Sequence, residues 1–164
     1  MKYAITGHTQ GIGQGLLKRL QPNAIGFSLS TGYDITKKED RKRIIEQSHD
    51  CDVFINNATD GFGQTSLFLE LYNEWKNIPN KTIINVGSRI AEVETLPVMY
   101  SHLMGYQAEK LILKEMSNRV PVGECKVNYR WFAYVGTEKI LAKYPHFTPE
   151  DYITVEQAVD IILS

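Results

Sequence analysis

Thr6-Gly7-His8-Thr9-Gln10-Gly11-Ile12-Gly13, set directly behind the apolar run Tyr3-Ala4-Ile5, is the stretch that decides the fold of this chain. A strand that breaks into glycines and then a helix brings bare backbone N–H groups and a helix N-terminus up to a dinucleotide pyrophosphate. Gly7, Gly11 and Gly13 permit the tight turn and the close backbone approach this requires. No Gly-Lys-[Ser/Thr] follows, so a P-loop is excluded. Far downstream, Tyr106-Gln107-Ala108-Glu109-Lys110 sets a phenol and an ammonium one helical turn apart on one face. Together the two marks describe redox chemistry on a carbonyl or an alcohol.

Composition narrows the setting. The 164 residues are 43% hydrophobic and 23% charged, enough for a real core and suited to one domain over residues 1–164. A net charge of −1 with no basic block argues against a nucleic-acid partner. Cys51 and Cys125 are too few and too far apart for a zinc knuckle or a disulfide framework, which fits a reduced, cytoplasmic protein. The short apolar run before the glycines reads as a first strand rather than a signal peptide, and no stretch approaches membrane-spanning length. His8, His49, His102 and His146 show no ligand spacing, so no metal is expected.

Strand-like and helix-like segments alternate, which predicts a parallel α/β sheet. Strands are expected over Lys2–Thr6, Ala24–Leu29, Val53–Asn56, Lys81–Val86 and Cys125–Trp131. Helices are expected over Gly11–Leu20, Thr36–Gln47 with Thr36 as N-cap, Ser66–Lys76, Val98–Asn118 and Glu156–Leu163. The basic run Lys37, Lys38, Arg41, Lys42 and Arg43 reads as a solvated helix face.

At this point the residues resemble a family, the classical short-chain dehydrogenases/reductases, from the first strand to the last helix. The opening turn matches the family's Thr-Gly-xxx-Gly-Ile-Gly. Asn56-Asn57-Ala58-Thr59 resembles its Asn-Asn-Ala-Gly, with the final Gly replaced. Asn85-Val86-Gly87-Ser88 is similar to the strand that delivers the catalytic Ser, and Tyr106-Gln107-Ala108-Glu109-Lys110 matches Tyr-x-Ala-Ser-Lys with Glu109 at the Ser. Val127-Asn128 with Val135 and Thr137 keeps the spacing of Val-Asn-x-x-x-Pro-Gly-x-Val-x-Thr, although Phe132-Ala133 replace Pro-Gly. The resemblance implies a three-layer, Rossmann-like parallel sheet with helices on both faces, reduced from seven strands to roughly five or six.

The departures are shortenings. Asp34-Ile35-Thr36 resembles the family's acidic motif beside the adenine, yet it follows the second strand almost directly, so a helix and much of a strand are missing. No convincing Asn occupies the helix between Asn57 and Ser88, where the family keeps a fourth catalytic residue. Relatives continue into a seventh strand after the position of Ser164.

The resemblance assigns Tyr106 as general acid/base, Lys110 as the cation beside it and a ligand of the nicotinamide ribose, and Ser88 as the donor that polarises the substrate oxygen. The cofactor-binding residues it implies are Gly7, His8, Gln10, Gly11, Ile12 and Gly13 in the turn, Ser28 and Ser30 after the second strand, Asp34 and Ile35 near the adenine, and Asn57 and Ala58 near the adenine-side ribose. Tyr106, Lys110, Phe132, Val135 and Thr137 complete the set. No acid ends the second strand, and the hydroxyls of Ser28, Ser30 and Thr31 can donate to a 2′-phosphate, which favours NADP while leaving NAD possible.

Ile140, Leu141, Tyr144, Phe147 and Tyr152 make the expected substrate loop, Thr137–Thr154, apolar and aromatic. The activity expected is NAD(P)-dependent reduction or oxidation of a small carbonyl or alcohol. The shortened middle favours a second reading, a dinucleotide-binding sensor with little turnover. Large apolar residues over Leu67–Trp75 and Val98–Met116 exceed one core-facing stripe and predict a two-fold homodimer.

Overall fold

A computed structural model describes residues 1–164. It contains a five-stranded, all-parallel sheet in the order β2-β1-β3-β4-β5, with β1 Tyr3–Thr6, β2 Ala24–Phe27, β3 Val53–Asn56, β4 Thr82–Ser88 and β5 Lys126–Phe132. The helices are α1 Gly11–Leu20, α2 Lys38–Gln47, α3 Gly63–Trp75, α4 Met104–Arg119, α5 Glu138–Lys143 and α6 Val155–Leu163. No helix is long and apolar enough to cross a membrane.

The pleat of the sheet sorts the core into two layers. Ala4, Phe54 and Ile83 point to one face, where they meet Ile44 of α2, Leu67, Leu71 and Trp75 of α3, and Leu113 of α4. Ile5, Val53, Ile55, Ile84 and Val86 point to the other, against Leu16 of α1 and Ala158, Val159 and Ile162 of α6. Both faces are therefore covered, as an all-parallel sheet requires. The chain turns outward from β1 to β2 and then returns to β3 on the other side of β1. That reversal opens a crevice beyond the C-terminal ends of β1 and β3.

Several sequence expectations shift. The second strand stops at Phe27, because Ser28 begins a 3₁₀ turn over Leu29–Thr31 closed by Gly32 at φ 88°. Thr36 does not cap α2: Asp34 holds it instead, accepting from both its N–H (3.0 Å) and its hydroxyl (2.6 Å), and the helix starts at Lys38. The segment before α4, Val98–Leu103, is 3₁₀ rather than α-helical. A helix not foreseen, α5, occupies part of the expected substrate loop, with Thr137 capping it through the N–H of Ile140.

The basic helix is not a uniformly solvated face. Arg41 is buried, donates from Nε and Nη2 to the two carboxylate oxygens of Glu70 on α3 at 3.0 and 2.9 Å, and donates from Nη1 to the carbonyls of Ile35 and Thr36. It clamps α2, α3 and the Ile35 loop with one planar fork. Most of the apolar surplus on α3 is turned inward: Leu67, Phe68, Leu71, Tyr72 and Trp75 are buried within the chain, and Leu69 is partly buried. On α4, in contrast, Met104, Leu111 and Ile112 remain exposed.

Arg41→Met should lower unfolding stability by about 1–3 kcal/mol, because it leaves Glu70 and two main-chain carbonyls without their donor. Lys42→Met, one position on and solvent-exposed, should change it by less than about 0.5 kcal/mol. Urea unfolding of the two variants side by side checks the contrast.

Candidate functional site

The crevice is a groove of about 1390 Å³ built on the β1–α1 turn. Gly7 and Gly11 take φ of 70° and 54°, which L side chains avoid. A Cβ on Gly13 would stand 2.0 Å from the Gly7 carbonyl oxygen, so α1 can begin here only because Gly13 has no side chain. Asn57 fastens the far wall: its side-chain amide donates to the Thr6 carbonyl (3.0 Å), while the N–H groups of Asn57 and Ala58 donate to the Thr6 hydroxyl at 2.9 and 3.0 Å. The C-terminal ends of β1 and β3 are thereby locked in register, and the N-terminus of α1 faces open space.

Most of the expected cofactor residues line this groove: Gly7, Gln10, Gly11, Ile12, Ser28, Ser30, Asp34, Ile35, Asn57, Ala58 and Thr137. Four do not. His8 turns away, its ring packed on Gly26 so closely that a Cβ there would lie 2.2 Å from Cγ, with Nδ1 buried and unpartnered. Gly13 lies behind the turn, and Phe132 and Val135 are buried in the layer shared with α1 and α6. Thr9, Lys18, Leu29, Thr59 and Lys139 also line the groove. Thr9, Leu29 and Thr59 are sequence neighbours of the expected residues, whereas Lys18 and Lys139 are brought there by α1 and α5.

The hydroxyls after β2 are already engaged with one another. Ser28 Oγ lies 3.0 Å from Ser30 Oγ and 3.1 Å from Thr31 Oγ1. Ser30 donates to Thr9 Oγ1 at 3.2 Å, and Thr31 donates to the Ser28 carbonyl at 3.1 Å. The hydrogen bonds from Thr36 hold the Asp34 carboxyl below the usual carboxylate range.

Ser88, Tyr106 and Lys110 sit beyond the inner end of the groove, where β4 meets α4. Tyr106, Lys110, Leu113 and Ser117 follow helical spacing along the inward side of α4, and the last three are buried. Lys110 is 3% exposed, and its ammonium lies 5.7 Å from the centre of the Tyr106 ring. It donates to Gln64 Oε1 at 2.6 Å, Thr59 Oγ1 at 2.7 Å and the Val86 carbonyl at 3.4 Å, and no carboxylate pairs with it. Burial lowers its pKa to about 8, with Glu109 pulling the other way. Tyr106 is partly exposed, and Ser88 Oγ accepts the Ile90 N–H at 3.4 Å, capping the 3₁₀ turn Arg89–Glu92.

Two residues absent from the sequence reading belong to this corner. Gln64 opens α3, the helix on which no suitable Asn is found, and its amide does reach the lysine. Tyr129 of β5 packs its hydroxyl against Gly87, where a Cβ would lie 2.0 Å away, and burial pushes its pKa up to about 12. Behind them runs a buried polar chain. Asn56 Nδ2 donates to the Gln64 carbonyl and to Asn85 Oδ1, and Asn85 Nδ2 donates to Ser117 Oγ. Of the expected substrate aromatics, Phe147 stacks on Tyr144 at 4.8 Å and also meets Tyr134, which precedes that loop, at 4.8 Å, while the Tyr152 ring packs on Gly136.

No family model and no curated protein matches the sequence. Solved structures do match in shape. A short-chain dehydrogenase from Burkholderia cenocepacia, in complex with NADP, superposes with a TM-score of 0.75 at 22% identity, covering 99% of this chain and 84% of its own. The 3-alpha-hydroxysteroid dehydrogenase from Pseudomonas sp. B-0831, complexed with NADH, gives 0.77 at 17% identity, covering 99% and 88%. A serine dehydrogenase complexed with NADP⁺ gives 0.74 at 14% identity, again covering 99% and 88%. Over almost its entire length, this chain has the fold of the short-chain dehydrogenases/reductases.

Proposed function

We propose that this protein is an NAD(P)-dependent oxidoreductase acting on a small carbonyl or alcohol, with NADP the preferred cofactor and NAD possible. The observation that carries the reading is the Lys110 ammonium, buried without a counter-ion, one turn from Tyr106 and joined through Thr59 to a glycine-cradled groove. The NADP and NADH complexes among the similar structures support it.

The residues present fit a dinucleotide. Gly11 and the first turn of α1 would take the pyrophosphate, since the N–H groups of Gly11, Ile12 and Gly13 have no main-chain acceptor, while Gly7, whose N–H donates to the Phe27 carbonyl, would let the phosphates approach past a bare backbone. Asp34 and Ile35 would flank the adenine, and Ala58 the adenine-side ribose. Ser28 and Ser30 would meet a 2′-phosphate after rotating out of their mutual bonds, because no carboxylate ends β2 to repel it. When bound, the cofactor supplies the hydride. Tyr106 would exchange a proton with the substrate oxygen, and the uncompensated Lys110 charge would stabilise the phenol oxygen as that proton leaves. Ser88 would hydrogen-bond the same substrate oxygen once its hydroxyl turns from the Ile90 cap.

The assembly proposed is a two-fold dimer on the outer face of α4, where Met104, Leu111 and Ile112 recur at helical spacing and stay exposed. Cys51 and Cys125, both buried and free, support a reducing, cytoplasmic setting.

Tyr106→Phe should cut turnover by roughly 10²-fold or more while leaving the unfolding midpoint close to wild type, because it removes one oxygen and little volume. Lys110→Met should weaken both turnover and cofactor binding. Steady-state kinetics with fluorescence titration reads these effects, and wild-type activity in the Tyr106 variant would reject the acid/base assignment. In the same titration NADPH should bind about fivefold tighter than NADH or better. Light scattering at micromolar concentration should return a dimer that Leu111→Glu with Ile112→Glu converts to monomer.

A further inference from the structure

We propose that Gln64 and Thr59 are the positioning residues of the Lys110 amine, Gln64 as its fixed anchor and Thr59 as the partner that yields to a hydroxyl of the bound dinucleotide. This rests on the oxidoreductase reading for its second half only.

An ammonium has three donors and no acceptor. All three are taken here, by Gln64, Thr59 and the Val86 carbonyl, and the amine is closed off from solvent. Any new acceptor must therefore displace an existing one. The three are unequal. Gln64 is buried, and its amide nitrogen donates to the Asn56 carbonyl at 2.7 Å and the Val86 carbonyl at 3.0 Å. Two carbonyls on one side demand the NH₂ there, so the orientation that turns Oε1 to the lysine is fixed by hydrogen bonding. The Val86 carbonyl is main chain in the centre of β4 and cannot leave. Thr59 is exposed and lines the groove, and its hydroxyl, which also donates to Gln64 Oε1 at 3.2 Å, withdraws from both Gln64 and Lys110 by rotation about one bond. Its site is also where the chain departs from the glycine of the Asn-Asn-Ala-Gly pattern, which has no hydroxyl to offer.

The test reads the amine directly. The Lys110 Nζ signal is titrated by ¹⁵N NMR in cofactor-free protein for wild type, Gln64→Met and Gln64→Glu. Both variants lose the amide donors to the Asn56 and Val86 carbonyls, and the sign of the Lys110 shift tells an apolar group facing the amine from an anionic one. Gln64→Met should lower the Lys110 pKa by about half a unit or more, and Gln64→Glu should raise it by about one unit or more. Shifts of the same sign, or none, overturn the anchor. Thr59→Val should tighten NADPH binding roughly three- to tenfold, because no internal acceptor has to be displaced. Unchanged or weaker affinity overturns the exchange, and this variant keeps the proposal testable if the Gln64 variants do not fold. Failure of wild-type protein to bind any nicotinamide dinucleotide would reject the function and the exchange, while the Nζ titration would still decide the anchor.

Discussion

The approach of Gly13 to the Gly7 carbonyl is the constraint on which this molecule turns. A helix leaving β1 at this distance tolerates no Cβ, and the tightness sets where α1 begins and which way its N-terminus points. Asn57 and Thr6 then carry the same constraint sideways, binding the end of β3 to the end of β1 through three hydrogen bonds. The groove is the space those two fastenings leave outside the strand ends, at the point where strand order reverses. The β1–α1 turn and the strand ends set its position, and Thr137, Glu138, Lys139 and Ala142 around α5 line it as well.

A second organising element lies at the inner end, where polar groups replace the apolar core. Asn56, Gln64, Asn85, Ser117 and Lys110 are all buried, and hydrogen bonds link β3, α3, β4 and α4 through them. Apolar side chains of similar volume would pack these elements without directional preference. The amides specify one alignment of α4 on the sheet, and so fix the rotation of the helix that carries Tyr106.

What the sequence reveals depends on how local the cause is. The glycine turn is legible because its demand is a backbone demand, met within eight residues. The Tyr106, Lys110, Leu113, Ser117 stripe is legible because helical spacing alone aligns it. Gln64 is not, since its partner is 46 positions away and nothing nearby marks it. Arg41 reads as a surface cation for the same reason: its burial is created by Glu70, 29 positions on. The apolar excess on α3 suggests an interface only until the sheet is in place, when a broad face of that helix proves to be covered. The helix α5 hides among aromatics because it is too short to show a period.

Lys110 also makes the stability of the chain depend on pH. The folded protein holds this proton less tightly than the unfolded one, with the pKa lowered to about 8. Native stability therefore falls as pH drops from the ordinary lysine range towards 8, and the loss is fully present at neutral pH. Neutral partners hydrogen-bond the amine but do not offset its charge. An apolar side chain of similar length at this position would carry no such pH-dependent loss, so the amine and the amide tied to two carbonyls to receive it are a local cost in stability within an otherwise well-packed corner.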